Sequence, residues 1–133
     1  MRLVFDTNVV VSACFWRGAP FECLARWAKG EAVALISPPL LVEYAETRDE
    51  LRLDYPDRAM VDWVEALGTS AEMVFPVERA TGATPDPFDE MVLECAMAGE
   101  ADCMVTGDKK HLLSLGDFRG IPLVSPAEFL RRY

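Results

Sequence analysis

The sequence predicts an α/β protein of three layers, α/β/α, with a central parallel sheet of four to five short strands. Three observations predict it. Short apolar runs alternate with segments of helical periodicity. The runs are continuous rather than alternating, as strands covered on both faces require. Several helical segments open with Ser-Pro or Asp-Pro, where Ser or Asp caps and Pro takes the first helical position. No repeat, low-complexity tract or linker interrupts the 133 residues, so residues 1–133 are expected to form one domain.

Residues 2–5 form the first strand, followed by the polar, turn-prone Asp6-Thr7-Asn8. Residues 20–29 read as a helix, with Phe21, Leu24, Ala25 and Ala28 on one stripe and Gly30 ending it. Residues 32–36 are the second strand. Ser37-Pro38 opens the next helix, with Leu40, Leu41, Tyr44 and Ala45 inward. A helix starting at Pro56-Asp57 carries Met60, Val61, Val64 and Leu67 and closes at Gly68. Residues 72–75 are the third strand, and 76–85 a loop rich in Thr, Gly and Pro. Asp86-Pro87 starts a helix that runs to about Gly99. Residues 103–106 are the fourth strand, 108–115 a short helix or turn, Leu123-Val124 the fifth strand, and Ser125-Pro126 caps the last helix.

Composition narrows the function classes. Hydrophobic residues make up 51% of the chain, which marks it as globular rather than disordered. No apolar run approaches the roughly 20 residues of a membrane span. The run from Met1 to Asp6 is too short for a secretory leader, so a cytoplasmic location and no membrane partner are expected. Cys14, Cys23, Cys95 and Cys103 form no C-x-x-C pair and sit among apolar neighbours, as small buried hydrophobes do. His111 is the one histidine, which leaves zinc chemistry and a Ser-His-Asp or Cys-His nucleophile without ligands or a base. It lies on a Lys-rich turn and is expected at the surface.

The net charge is −9. Two readings are open. Excess acid keeps the protein soluble, or some of the acids crowd one site and await a cation. Positions discriminate where composition does not. Asp6 follows the first strand, and Asp108 follows the fourth after one glycine. Asp89 lies in the first turn of its helix, and Glu43 in the first or second turn of the helix after the second strand. All four fall at carboxyl strand ends or at helix starts facing that edge, where ligands gather in such sheets. If the first and fourth strands are neighbours, the acids converge. Packed like charges raise one another's pKa, and Mg²⁺ or Mn²⁺, which prefer oxygen ligands, removes that penalty.

Each acid also has a plain structural role open to it. Asp6 and Asp108 can cap the turns that follow them, and Glu43 can be a solvated helix residue. Asp86 reads as a helix cap only, with Asp89 at the third helical position. Glu90 and Glu94 read as exposed, and Asp102 as a turn residue starting the fourth strand at the opposite edge.

These segments also resemble a family. Leu3-Val4-Phe5-Asp6-Thr7-Asn8 is similar to the opening of PIN domains. Leu40-Leu41-Val42-Glu43-Tyr44 resembles their second motif, and Asp86-Pro87-Phe88-Asp89-Glu90 the third. Ala101-Asp102-Cys103-Met104-Val105-Thr106-Gly107-Asp108-Lys109 resembles the fourth. Residues 121–130 are similar to the C-terminal end of a subgroup described as toxin components of toxin–antitoxin systems, related to VapC. A lone D-T-N is weak; four acidic motifs in order across nearly the whole chain are strong. One departure is the loop before Asp89, where Phe88 stands in a stretch that relatives often make more charged.

The resemblance implies a PIN-like fold and a metal-dependent endoribonuclease acting on single-stranded or structured RNA. Asp6, Glu43, Asp89 and Asp108 would be its acidic site, binding Mg²⁺ or Mn²⁺, with Asn8 and Thr106 as polar support. Arg17, Arg48, Lys109 and Lys110 are the phosphate-contact candidates, although solvated surface charge is the commoner fate of any one of them. A cognate antitoxin and a homodimer are the implied protein partners. Phe15, Trp16 and Trp27 are candidates for such an interface, with core packing as their alternative. Two rivals are a haloacid-dehalogenase-type phosphohydrolase and a non-catalytic PIN scaffold that binds RNA or protein. The first needs a second Asp two residues after Asp6, where Asn8 stands. The second usually lacks acids that this chain keeps.

Overall fold

The computed structural model describes residues 1–108, 110 and 112–133, with all their side chains except that of Phe88. Lys109 and His111, singled out above, lie outside the described residues. The strands are β1 (Arg2–Phe5), β2 (Val33–Ile36), β3 (Glu72–Met73), β4 (Cys103–Val105), β5 (Asp117–Phe118) and β6 (Ile121–Val124). The helices are α1 (Thr7–Phe15), α2 (Ala19–Ala28), α3 (Pro38–Asp54), α4 (Trp63–Ser70), α5 (Pro87–Ala98) and α6 (Pro126–Arg132). The sheet order is β3-β2-β1-β4-β6-β5. Its first five strands are parallel, and the two-residue β5 adds an antiparallel edge. Helices cover this sheet in a mixed α/β/α arrangement, the expected fold class.

The two central strands matter most. β1 and β4 pair in register, Leu3 with Cys103, Val4 with Met104 and Phe5 with Val105. Their side chains are fully buried or nearly so, which is why both read as continuous apolar runs. At their far end Arg2 and Asp102 exchange backbone and side-chain bonds, including Arg2 N–H to Asp102 Oδ2 at 2.7 Å. Helix α5 crosses β1, β2 and β4. Its end comes so close to β2 that a Cβ on the buried Gly99 would lie 2.5 Å from Leu35 Cδ1. All four cysteines are buried free thiols.

Three elements depart from the sequence reading. The segment after Asp6 is a helix, not only a turn. Asp6 caps α1 by accepting from Thr7 N at 2.8 Å, and its carbonyl accepts from Val9 N at 3.0 Å. Seven of the nine residues of α1 are buried, so no amphipathic stripe advertises it, and Val9-Val10-Val11 has β-branched character. The helix expected from Pro56 begins at Trp63. Asp62 caps it there through Glu65 N, while Val61 N is drawn to the Cys14 carbonyl at 2.9 Å. Arg119-Gly120 turns β5 into β6 with both residues at positive φ, as tight hairpin turns require.

Candidate active site

The site grows from the carboxyl ends of β1 and β4. Asp6 N donates to the Val105 carbonyl at 2.8 Å, carrying the strand pairing one residue further. That register sets Asp6 beside Thr106, whose hydroxyl donates to Asp6 Oδ2 at 2.8 Å. The same hydroxyl accepts from Asp108 N at 3.0 Å. Thr106 is fully buried and therefore links the two acids rigidly.

Asp89, in the first turn of α5, is 8% exposed and shares a hydrogen bond with Asp108. Two carboxyls can share one only if a proton lies between them. Burial, that bond, and the charges of Asp6, Asp108 and Asp86 push Asp89 up to about 7. Burial also raises Asp6, against the hydrogen bonds from Thr106 and Thr7 that favour its charged form.

Glu43 approaches from α3, and Asp86 is the acid of the cluster whose charge acts on it. The Ser37 hydroxyl caps this helix at Leu40 N, as the sequence predicts. Tyr44, fully buried, donates its hydroxyl to the Phe5 carbonyl and ties α3 to the strand end immediately before Asp6. Glu43 is half-buried and accepts from Thr47 Oγ1 at 3.1 Å. Burial raises its pKa, with Glu46, Glu50 and Asp86 adding to the effect.

Asp86 is the residue the sequence reading undervalued. Its carbonyl accepts from Asp89 N at 3.1 Å and from Thr84 Oγ1 at 2.8 Å, which starts α5. Its charge also raises Asp6, Glu43 and Asp89, so it belongs to the same cluster of charge. Acids three apart at a helix start share one side, and D-P-F-D carried that signal.

The other candidates are distributed differently. Asn8 is exposed on the first turn of α1 and, among the described residues, bonds none of the acids. Arg48 pairs with Asp62 at 3.0 Å and with Asp49 at 3.0 Å. Arg17 lies over the Phe21 ring at 4.2 Å, at the other end of α1 from Asp6. Lys110 is exposed, and its backbone N–H donates to Asp108 Oδ1 at 3.1 Å. Phe15 is buried in the core and is not available to a partner, whereas Trp16 and Trp27 are half-buried.

Glu94 is a correction. It is buried, not exposed, and accepts from Ala80 N at 2.9 Å. Glu90 is half-buried and takes Gly82 N at 3.3 Å. The loop over 76–85 thus folds back on α5, and its backbone N–H groups recruit acids that helical spacing alone places outward.

The donor set is all oxygen, and carboxyls whose pKa values are raised by burial and by one another are what an oxygen-preferring divalent cation relieves. Among the described residues, no three carboxylates stand grouped as ligands. Among the same residues, no helix is long and apolar enough to cross a membrane.

The family model described as "PIN domain" matches residues 2–110. No curated protein and no solved structure matches the chain significantly. PIN domains are generally nucleases that use divalent metals, which assigns the chain a nuclease fold and nucleic acid as its class of partner. Covering all four acidic motifs and the paired central strands that hold two of them, the match establishes that the chain belongs to the PIN-domain family.

Proposed function

We propose that the chain is a metal-dependent endoribonuclease, cutting phosphodiester bonds of single-stranded or structured RNA, with residues 1–133 acting as one PIN domain. The observation that carries this reading is the pair of buried Asp89 and half-buried Asp108, sharing a hydrogen bond beside the buried Asp6, with Asp89 pushed up to about 7. A protein gains nothing in stability from acids held so close, so their placement points to a use.

Asp6, Asp89 and Asp108 would hold Mg²⁺ or Mn²⁺, with Glu43 completing the set. The cation would acidify a water and clamp the phosphate. Thr106 fixes the Asp6 carboxylate and the Asp108 backbone in one orientation. Glu43, less buried than Asp6, is suited to accept a proton from the attacking water. Tyr44 holds Glu43's helix to the strand end, so the base and Asp6 keep their spacing. Asn8, exposed next to the site, is free to meet substrate. A VapC-like toxin role, a cognate antitoxin and a homodimer rest on the resemblance of residues 121–130 and belong to the same reading.

A second reading, a non-catalytic scaffold, has one observation in its favour: the described carboxylates are not gathered as ligands. The two separate in one assay. Purified wild type and Asp6→Asn are incubated with single-stranded RNA and with tRNA in Mn²⁺, Mg²⁺ or EDTA. Metal-dependent cutting that is lost in the variant is expected. Well-folded wild type that binds RNA but cuts none, in any metal, favours the scaffold.

A further inference from the structure

A cavity of about 300 Å³ opens at the C-terminal end of α1, away from the acids. Trp16, Phe21, Arg17 and Arg58 are among the residues that line it. Arg17 lies over the Phe21 ring at 4.2 Å and Arg58 over Trp16 at 4.9 Å. Arg58 Nε is anchored on the Phe15 carbonyl at 2.5 Å, which fixes its guanidinium over the indole. Among the described residues neither arginine pairs with a carboxylate, in a chain that carries 22 acids against 13 bases. Cations left unpaired on such a chain, held over aromatic faces at the rim of a cavity, suit a planar base with an anionic group attached.

The cavity and the candidate active site lie at opposite ends of α1, which Asp6 and Trp16 cap. A cleft of about 320 Å³ between α1 and α3 is lined from Asn8, two residues from Asp6, to Trp16, which it shares with the cavity. Asp6 and Trp16 flank the nine-residue α1, a separation of roughly 15 Å at about 1.5 Å per residue. That is about four nucleotides at the 3.4 Å spacing of a stacked strand. Glu50 and Asp54 line the cleft and repel phosphate there, so attraction is concentrated at its far end.

We propose that this cavity is a nucleotide subsite: it takes one unpaired base of a single-stranded RNA beside Trp16 and Phe21, against the guanidinium planes of Arg17 and Arg58 that those rings back, and the two arginines hold the adjoining phosphate. The inference rests on the nuclease reading for the identity of its ligand as RNA. The subsite gives an acidic protein a grip on its substrate distant from the cluster, and it selects chains long enough to reach both places.

The test is binding without cleavage. Fluorescence anisotropy of a dye-labelled eight-nucleotide single-stranded RNA is measured in EDTA over a salt series, for wild type, Arg17→Gln/Arg58→Gln and Trp16→Phe. Melting curves check that each variant is folded. The double arginine variant is expected to bind about tenfold or more weakly, with a salt slope reduced by about one to two. Trp16→Phe, which keeps an aromatic ring behind Arg58, is expected to lose less. A well-folded double variant with unchanged affinity and slope overturns the subsite, as does wild type that does not bind. A wild-type dimer that Arg58→Glu dissociates, with RNA affinity unchanged, also overturns it and assigns the cavity to a protein interface. Because nothing is cut in EDTA, the two proposals fail separately. Arginine-dependent binding by a protein that cuts in no metal keeps the subsite and removes the nuclease.

Discussion

The hydroxyl of Thr106 donates to Asp6 Oδ2 and accepts from the backbone N–H of Asp108, at 2.8 and 3.0 Å. One fully buried side chain thus sets the relation between two acids from opposite ends of the sequence. Thr106→Val keeps the shape and removes both bonds. It is expected to cost about 1–3 kcal/mol in denaturant unfolding, because buried polar partners are left unmatched. RNA cleavage is expected to fall about 10- to 100-fold, as when a group supporting metal ligands is lost. Thr106→Ser should recover most of both. A valine variant as active as wild type would remove Thr106 from the site.

Tyr44 has a similar role for the opposing wall. Tyr44→Phe leaves the buried Phe5 carbonyl without the hydroxyl it accepts from. The expected loss is about 1–3 kcal/mol in the same unfolding measurement. Cleavage should fall further than the fraction of folded protein explains, since Glu43 sits on the helix that this bond anchors. Equal losses in folding and activity would leave Tyr44 with a structural role alone.

The raised carboxyls make stability depend on pH in a definite direction. Asp89 is pushed up to about 7 from 3.8, and Asp6 is raised as well. The folded chain therefore holds protons that the unfolded chain releases. Their contribution is complete below the unfolded value and is lost as pH rises through about 7. In EDTA the melting temperature is expected to fall between pH 5 and pH 8. Mn²⁺ should restore more at pH 8 than at pH 5, since cation and proton compete for the same oxygens. Asp89→Asn should flatten the dependence. A melting temperature that rises over this range in EDTA would count against the cluster.

Gly99→Ala tests the packing that sets α5, and with it Asp89, against the sheet. Its Cβ would lie 2.5 Å from Leu35 Cδ1 and 3.2 Å from Leu35 Cγ. Leu35 is itself buried and has little room to give way. Thermal or denaturant unfolding is expected to show a loss of about 1–3 kcal/mol. A neutral alanine would mean that α5 can shift freely on β2.

The sheet was legible because β1, β2 and β4 are buried on both faces, but for the first residues of β1 and β2, and so carry continuous apolar runs. The caps at Ser37 and Ser125 were legible because their side chains do what such residues do before Pro. Helix α1 was not, because burial nearly all round erases the periodicity that reveals a helix. Glu94 was misplaced because its partner, the Ala80 N–H, lies in a loop whose path sequence spacing does not specify. Asp6, Asp89 and Asp108 stood out by position at strand ends and a helix start. Asp86 was concealed by its own ordinary work at the helix start, and its charge on three neighbours becomes visible only when they are brought together.

The most direct test of the nuclease assignment is cleavage of end-labelled single-stranded RNA in Mn²⁺ by wild type and Asp89→Asn side by side, with melting curves of both in EDTA. Asp89→Asn relieves a crowded buried acid, so it is expected to melt at a higher temperature than wild type at pH 8 and yet to cut no RNA. A variant that cuts as well as wild type, or a well-folded wild type that cuts none, would contradict the assignment of this cluster as a cation-dependent ribonuclease site.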